Sequence, residues 1–337
     1  MTQFPVQYST LSSTHLQNHL AIAYGIQDLK CKFHLRGVSD TYKVTSGKER
    51  YIFRVYRSTH RSLVEIKGEV QLLRILKDNG AKVSFPCADK NNGYIQEFQA
   101  PEGMRYGILF SFAEGRSVYQ LSPEQNTIVA QEMARNHNIT ANLKLDYPRL
   151  VYDFHTTMEK PLKLVREDFI DFKDGYNYLV TTARSVIEKL EQLGHEKFSY
   201  GYCHYDYLPK NFHFDAQNHF TLFDFDFAGE GYLANDIASY SVHLYLSVAM
   251  KKLTLEQAKE DFKNFVLAYR KVRALSDNEI QAIPCLGFMF WLFYFGFHHE
   301  SFDDFSNIFY TPNFLRERVN TIKKYLEVMP AICNGIS

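Results

Sequence analysis

A chain of 337 residues, 45% hydrophobic and 15% aromatic, exceeds what one small core usually holds, so two domains are expected. Lysine plus arginine and aspartate plus glutamate both number 38, so no global field draws the chain to nucleic acid or to a membrane surface. Five scattered cysteines (Cys31, Cys87, Cys203, Cys285, Cys333), odd in number and without a C-x-x-C pair, argue against a disulfide framework and for reduced thiols in a cytoplasm. The N-terminus carries neither a basic nor an apolar signal region. The most apolar run, Cys285 to Phe297, is too short to span a bilayer and fits a buried helix. Thirteen histidines form no helical H-x-x-x-H pair with acidic support, and the doublet His298-His299 points to different faces, so no zinc site is expected.

In chain order, a short helix is expected from about Thr14 to Tyr24, and Leu29 to Arg36 alternates apolar and polar as a half-buried strand does. Gly37-Val38-Ser39-Asp40 turns the chain, Tyr42-Lys43-Val44 leads to the polar turn Ser46-Gly47-Lys48-Glu49, and a third strand runs from Tyr51 to Tyr56. Arg61 to Asn79 places Val64, Ile66, Val70, Leu73 and Leu76 near helical spacing, with Gly80 as a terminal cap. Pro86 breaks the next strand, Asn91-Asn92-Gly93 is a hairpin turn into Tyr94 to Phe98, and Tyr106 to Phe112 is an apolar strand ending at Ala113-Glu114-Gly115.

From Ser122 the pattern becomes helical. Ser122-Pro123-Glu124 reads as an N-cap followed by proline at the first helical position, and the helix runs toward His137, read as a packed or capping histidine. Tyr176 to Leu193 is a long amphipathic helix stopped by Gly194. After Asp236 three further helices are legible, with Thr254-Leu255-Glu256-Gln257 and Ser276-Asp277-Asn278-Glu279 as capping boxes. The aromatic run Phe288 to Phe295 reads first as core. Its sharper reading is a wall of an acceptor pocket, where Trp291 or Tyr294 could stack on a cation and Glu300, Asp303 and Asp304 could attract an amine.

The chemistry concentrates between Cys203 and Asp236. His204-x-Asp206 is followed by Asn211 and then by Asp224 within Phe223-Asp224-Phe225-Asp226. Phe212, Phe214 and Phe220, Leu222 read as two short strands joined by the turn Asp215-Ala216-Gln217-Asn218, a hairpin that would bring Asn211 and Asp224 side by side. Phosphoryl transfer needs such residues: carboxylate and amide oxygens for magnesium, and a further carboxylate to take the acceptor's proton. Protein kinases carry a base Asp and a metal-binding Asn in H-R-D-x-x-x-x-N, then a metal-binding Asp in D-F-G, and His204-x-Asp206-x-x-x-x-Asn211 with Asp224 follows that order. In the same picture Gly37 to Thr41 covers the nucleotide phosphates with help from the Ser39 and Thr41 hydroxyls, although a generic hairpin turn reads equally well. Arg54 stands on the third strand where kinases place a phosphate-binding lysine.

Asp224-Phe225-Asp226-Phe227-Ala228-Gly229 with Asp236-Ile237-Ala238 resembles the aminoglycoside phosphotransferase and choline kinase-like superfamily. The resemblance implies an α+β, bilobal protein kinase-like fold. A small antiparallel-sheet lobe over 1–113 would bind nucleotide, and a larger, mostly helical lobe over 114–337 would carry catalysis and the acceptor. It also implies Asp206 as catalytic base, Asn211 and Asp224 as magnesium ligands, Asp226 as an auxiliary acid near the metal, and Asp236 as an anchor for the loop. Gly68-Glu69-Val70-Gln71-Leu72-Leu73 is similar to the superfamily's helix, which selects Glu69 over Glu65 as partner of Arg54. By the same resemblance Ser111, Phe112 and Ala113 are the hinge whose backbone binds adenine. Many members carry Gly between the His and the Asp, where this chain has Tyr205. The expected activity is ATP- and magnesium-dependent transfer of the γ-phosphate to a hydroxyl of a small molecule (aminoglycoside, amino alcohol, homoserine or sugar-like). A bacterial Ser/Thr protein kinase and a non-catalytic nucleotide-binding module are the alternatives. No nucleic-acid or membrane partner is expected.

Overall fold

The computed structural model describes residues 4–335. The chain folds into two compact units. The first comprises the chain up to Glu114 together with Leu145–Pro148 and Thr221–Asp224, and the second comprises Gly115–Lys144, Arg149–Phe220 and the chain from Phe225 onward.

The first unit is an antiparallel sheet with two helices. Helix α1 (Ser13–Tyr24) precedes β1 (Lys30–Arg36), β2 (Asp40–Ser46) and β3 (Glu49–Val55), and α2 (Leu63–Asp78) leads to β4 (Gln96–Ala100) and β5 (Gly103–Ser111). The strand order is β1-β2-β3-β5-β4. Leu16 and Leu20 of α1 close a core with Cys31, Tyr42, Val44, Phe53, Val55 and Leu109. The expectation of a half-buried β1 is corrected: only Cys31 of this strand is buried. It lies at the edge of the sheet, and its register with β2 shifts between Phe33 and Leu35, which leaves both side chains largely in solvent. Helix α2 begins with a full capping box, Ser62 with Glu65, and ends on the expected Gly80, whose left-handed φ of 81° follows the C-cap Asn79 while Gly80 N and Ala81 N donate to the carbonyls of Lys77 and Leu76. Arg105 is fully buried and donates to the carbonyls of Tyr56 and Ser9 while pairing with Asp40 and Glu102, so one guanidinium ties the N-terminal segment to the sheet.

The second unit is mostly helical. In order it contains α3 (Pro123–Thr140), β6 (Leu150–Val151), α4 (Lys160–Leu164), α5 (Lys173–Gln192), β7 (Tyr200–Cys203), β8 (Phe212–Phe214), the first residue of β9 (Phe220–Leu222, whose Thr221 and Leu222 belong to the first unit), β10 (Gly229–Tyr232), α6 (Ala234–Ala249), α7 (Leu255–Arg270), α8 (Asp277–Glu300) and α9 (Pro312–Cys333). Three α-helices begin after Asp236 among the described residues, α7, α8 and α9, as expected, while α6, which contains Asp236 and starts directly on the loop without a side-chain cap, was not read. The capping boxes Ser122–Gln125, Thr254–Gln257 and Ser276–Glu279 all form. Helix α8 is long and apolar enough to cross a membrane, but 72% of its apolar window is buried, and it packs against α4, α6 and α9 as a central core helix. The fold is α+β and protein kinase-like, as the sequence led us to expect.

Candidate active site

The loop after β7 is shaped by buried side chains from other elements. The Asp236 carboxylate, in the first turn of α6, accepts from the backbone N–H groups of His204 (2.9 Å) and Tyr205 (2.6 Å) and from His137 Nε2 (3.0 Å). His137 Nδ1 in turn meets the Tyr269 hydroxyl at 2.7 Å, so this histidine is a packed framework residue. Held this way, Tyr205 takes a left-handed φ of 67°, which a residue with a Cβ rarely adopts. Its ring stacks on Tyr152, centroids 3.4 Å apart, and touches Phe290 and Phe293. The bend turns the next residue, Asp206, onto Asn211 and Lys210.

Asp206 is buried, yet its carboxylate is organised. Oδ2 accepts from Asn211 Nδ2 at 2.8 Å and pairs with Lys210 Nζ at 2.8 Å. Asn211 Nδ2 also reaches the Asp206 carbonyl at 2.8 Å, so both amide protons are spent on one residue and Oδ1 of Asn211 is left as its ligand oxygen. Asp206 Oδ1 has no hydrogen-bond partner although it is buried. An orphaned carboxylate oxygen in a dry position is costly unless a ligand answers it. Asp206 and Asn211, read from one motif, are thus bonded to each other. Lys210 was not singled out in the sequence, because a lysine in a loop carries no mark of the pair it makes.

Asp226 is buried in the short 3-10 turn Phe225–Phe227. Buried Arg149 sets that turn, donating from Nε to Ala228 O (2.9 Å) and from Nη2 to Phe225 O (2.9 Å) and Asp226 O (2.7 Å). This arginine was also missed, since recognition of backbone carbonyls leaves no sequence pattern.

In the first unit, Arg54 of β3 lies opposite Thr41 of β2 in the ladder. Its Nη1 is 3.3 Å from Glu69 Oε1 of α2, and its Nη2 is paired with Asp224 Oδ1. Glu69 is the more deeply buried of the two α2 acids, while Glu65 serves as the N-terminal cap partner. Asp224 has a φ of 66°, a second strained non-glycine position in the motif. Ser39 is buried in the β1–β2 turn, which the buried Arg57 supports by donating to Gly37 O at 2.8 Å. Ser111 is knitted into the framework: its N–H donates to Phe85 O and its carbonyl accepts from Ser84 Oγ. Phe112 lies beneath the Arg50 guanidinium, and Ala113 is buried.

Among the described residues no three His, Cys, Asp or Glu side chains form a metal cage of their own. Within the second unit, the amide oxygen of Asn211 and the carboxylate of Asp226 are oxygen donors of the kind that a hard cation takes.

The fold and these residues define a phosphotransferase of protein kinase-like architecture. The sequence profile of the phosphotransferase enzyme family matches residues 30–274, and the chain belongs to that family. It is therefore a kinase acting on a hydroxyl acceptor. An uncharacterized protein of Deinococcus radiodurans is 30% identical over 281 residues, spanning 83% of this chain and 80% of that one. Amicoumacin kinase of Bacillus subtilis is 25% identical over 299 residues, with 84% of each chain covered. A solved amicoumacin kinase in complex with AMP-PNP, Ca2+ and Ami superposes with a TM-score of 0.69 at 20% identity, covering 95% of this chain and 94% of that one.

Proposed function

We propose that this chain transfers the γ-phosphate of ATP to a hydroxyl of a small-molecule acceptor in a magnesium-dependent reaction. One observation carries the reading: the Asp206 carboxylate is fixed on one oxygen by Asn211 and Lys210 and unpaired on the other. A hydroxyl donating to Oδ1 would meet an oriented base. As the acceptor oxygen attacks the γ-phosphorus, its proton passes to Asp206, and the bond between the γ-phosphorus and the bridging oxygen breaks to release ADP. Lys210 offsets negative charge beside the base. Arg54, braced by Glu69, neutralises the nucleotide phosphates, with Ser39 and Thr41 beside them, and the backbone of Phe112 and Ala113 meets the base of the nucleotide. Asn211 and Asp224, with Asp226 as auxiliary acid, are the residues that would hold a divalent ion, and such an ion supplies charge neutralisation across the transferred phosphate. The AMP-PNP of the solved amicoumacin kinase supports nucleotide use. The five thiols are all free, which supports a cytoplasmic location.

The test is ATP consumption by the purified protein against hydroxyl compounds of varied charge. Asp206→Asn is expected to lower kcat by about a thousandfold, within the range that a general base contributes, while nucleotide protection against melting persists. Near-normal transfer by Asp206→Asn would overturn the assignment.

A further inference from the structure

Helix α8 presents three polar atoms on one face, at helical spacing i, i+3, i+7: Trp291 Nε1, Tyr294 Oη and His298 Nδ1. All three are buried without a close hydrogen-bond partner, and so is Asp206 Oδ1. Tyr294 lies close enough to Asp206 that, after burial itself, the carboxylate's charge and a long side-chain hydrogen bond to it raise the phenol's pKa. The Tyr294 and His298 rings are 6.0 Å apart. From α9, the Arg318 guanidinium lies 4.6 Å over the Trp291 ring and 5.0 Å over Phe314, which also contacts His298. The charges felt by His298 are both positive: after burial, Arg318 and Lys210 push its pKa down to about 4. Among the described residues no carboxylate pairs with Arg318, and burial lowers its pKa to about 10 with no acid offsetting it. The acid that would greet an amine at the end of α8, Glu300, is 2.8 Å from Lys160, and Asp168 is held by His299 and Tyr310.

Lys210 is matched by Asp206, whereas among the described residues Arg318 has no carboxylate partner and Trp291 Nε1 and His298 Nδ1 have no hydrogen-bond partner. We infer that Arg318 and His298 receive an anionic group, a carboxylate or a phosphate, on the acceptor whose hydroxyl is directed at Asp206. This deepens the kinase assignment and rests on it. It narrows the acceptor away from purely cationic amino alcohols and aminoglycosides. Tyr294 and Trp291 would supply neutral donors to the same molecule.

The experiment has two arms on the full chain. In the first, ATP-dependent phosphorylation is measured with glycerate against glyceramide (carboxylate source), glycerol 3-phosphate against glycerol (phosphate source), and ethanolamine and an aminoglycoside (cations). In the second, binding of glycerate and glycerol 3-phosphate is titrated without nucleotide. At least one anion is expected to bind and to exceed its neutral counterpart. Arg318→Gln should weaken that binding, or raise its KM, at least about tenfold, as loss of a charge-assisted contact implies, with a smaller change in kcat. Arg318→Lys should restore most of it, and His298→Gln gives a second, independent loss should Arg318→Gln fail to fold. Phosphorylation of only neutral or cationic compounds overturns the inference and leaves the kinase assignment standing. Absence of anion binding, or binding indifferent to both substitutions, also overturns it. No phosphorylation of any compound, with ATP hydrolysis the same in Asp206→Asn, counts against the kinase assignment, and the nucleotide-free arm then decides anion binding alone.

Discussion

Tyr205 sets two opposing terms against each other. Its left-handed φ costs about 1–2 kcal/mol relative to glycine. Against that, its ring is buried, stacked on Tyr152 and packed on Phe290 and Phe293. Removing a buried aromatic ring costs about 3–5 kcal/mol. Packing wins, so Tyr205→Gly is expected to lose about 2 kcal/mol or more in urea unfolding even though it restores the residue common in the family. An unchanged or raised midpoint would show that strain dominates. Glycine would also free the backbone that aims Asp206, so kcat should fall together with stability.

At the scale of elements, the hairpin of β8 and β9 is pinned at its first strand by the segment after β5. Arg116 and Phe214 exchange backbone hydrogen bonds of 3.0 and 3.1 Å, and Gly115, at φ 92°, lies so close that a Cβ there would sit 2.0 Å from Phe214 O. Gly47 offers a control: its φ is 55° but nothing lies within 4 Å of an added Cβ. Gly47→Ala should therefore cost only about 1 kcal/mol of backbone strain. Gly115→Ala adds a backbone collision and should cost about 3 kcal/mol or more, read as a lower thermal midpoint. Equal losses would mean that the hairpin yields without penalty. The hairpin itself was legible because its information is local: alternating aromatics around an Asp-Ala-Gln-Asn turn. The same locality made His204, Asp206 and Asn211 readable, since one loop carries all three. The exposed β1 was misread because alternation records which residues could face a core, while sheet order, set by distant strands, decides whether a core is there. Lys210, Arg149 and Arg318 were invisible for a related reason: each acts on a group brought to it by the fold, and a lone basic residue in sequence is indistinguishable from a solvated one.

For the whole molecule, the cationic cluster on the second unit predicts how stability depends on acidity. His298 is surrounded by Tyr294 and Phe297 of its own helix, by Phe309, Phe314 and Arg318 from the chain around α9, and by Lys210 of the catalytic loop. Burial first, then the charges of Arg318 and Lys210, depress its pKa from the ordinary 6.5 to about 4. Between those values the unfolded chain binds a proton that the folded chain refuses, so stability falls as pH drops through that window and the loss levels off below about 4. At pH 5 the contribution is at most about 2 kcal/mol, from one and a half pH units at about 1.4 kcal/mol each. His243 and His34, also lowered mainly by burial, act in the same direction, the raised carboxyl of Asp261 opposes them, and the depressed carboxyls of Asp89, Glu102 and Asp215 lose their contribution only at more acid pH. Urea midpoints of wild type and His298→Gln, compared from pH 7.5 to 4.5, should therefore diverge: the wild type declines more steeply below 6.5, and the variant keeps the shallower slope left by the other groups. Parallel curves would mean that His298 accepts a proton in the folded state, which requires its ring to be less buried, or the charges of Arg318 and Lys210 to lie farther from it, than in the structure.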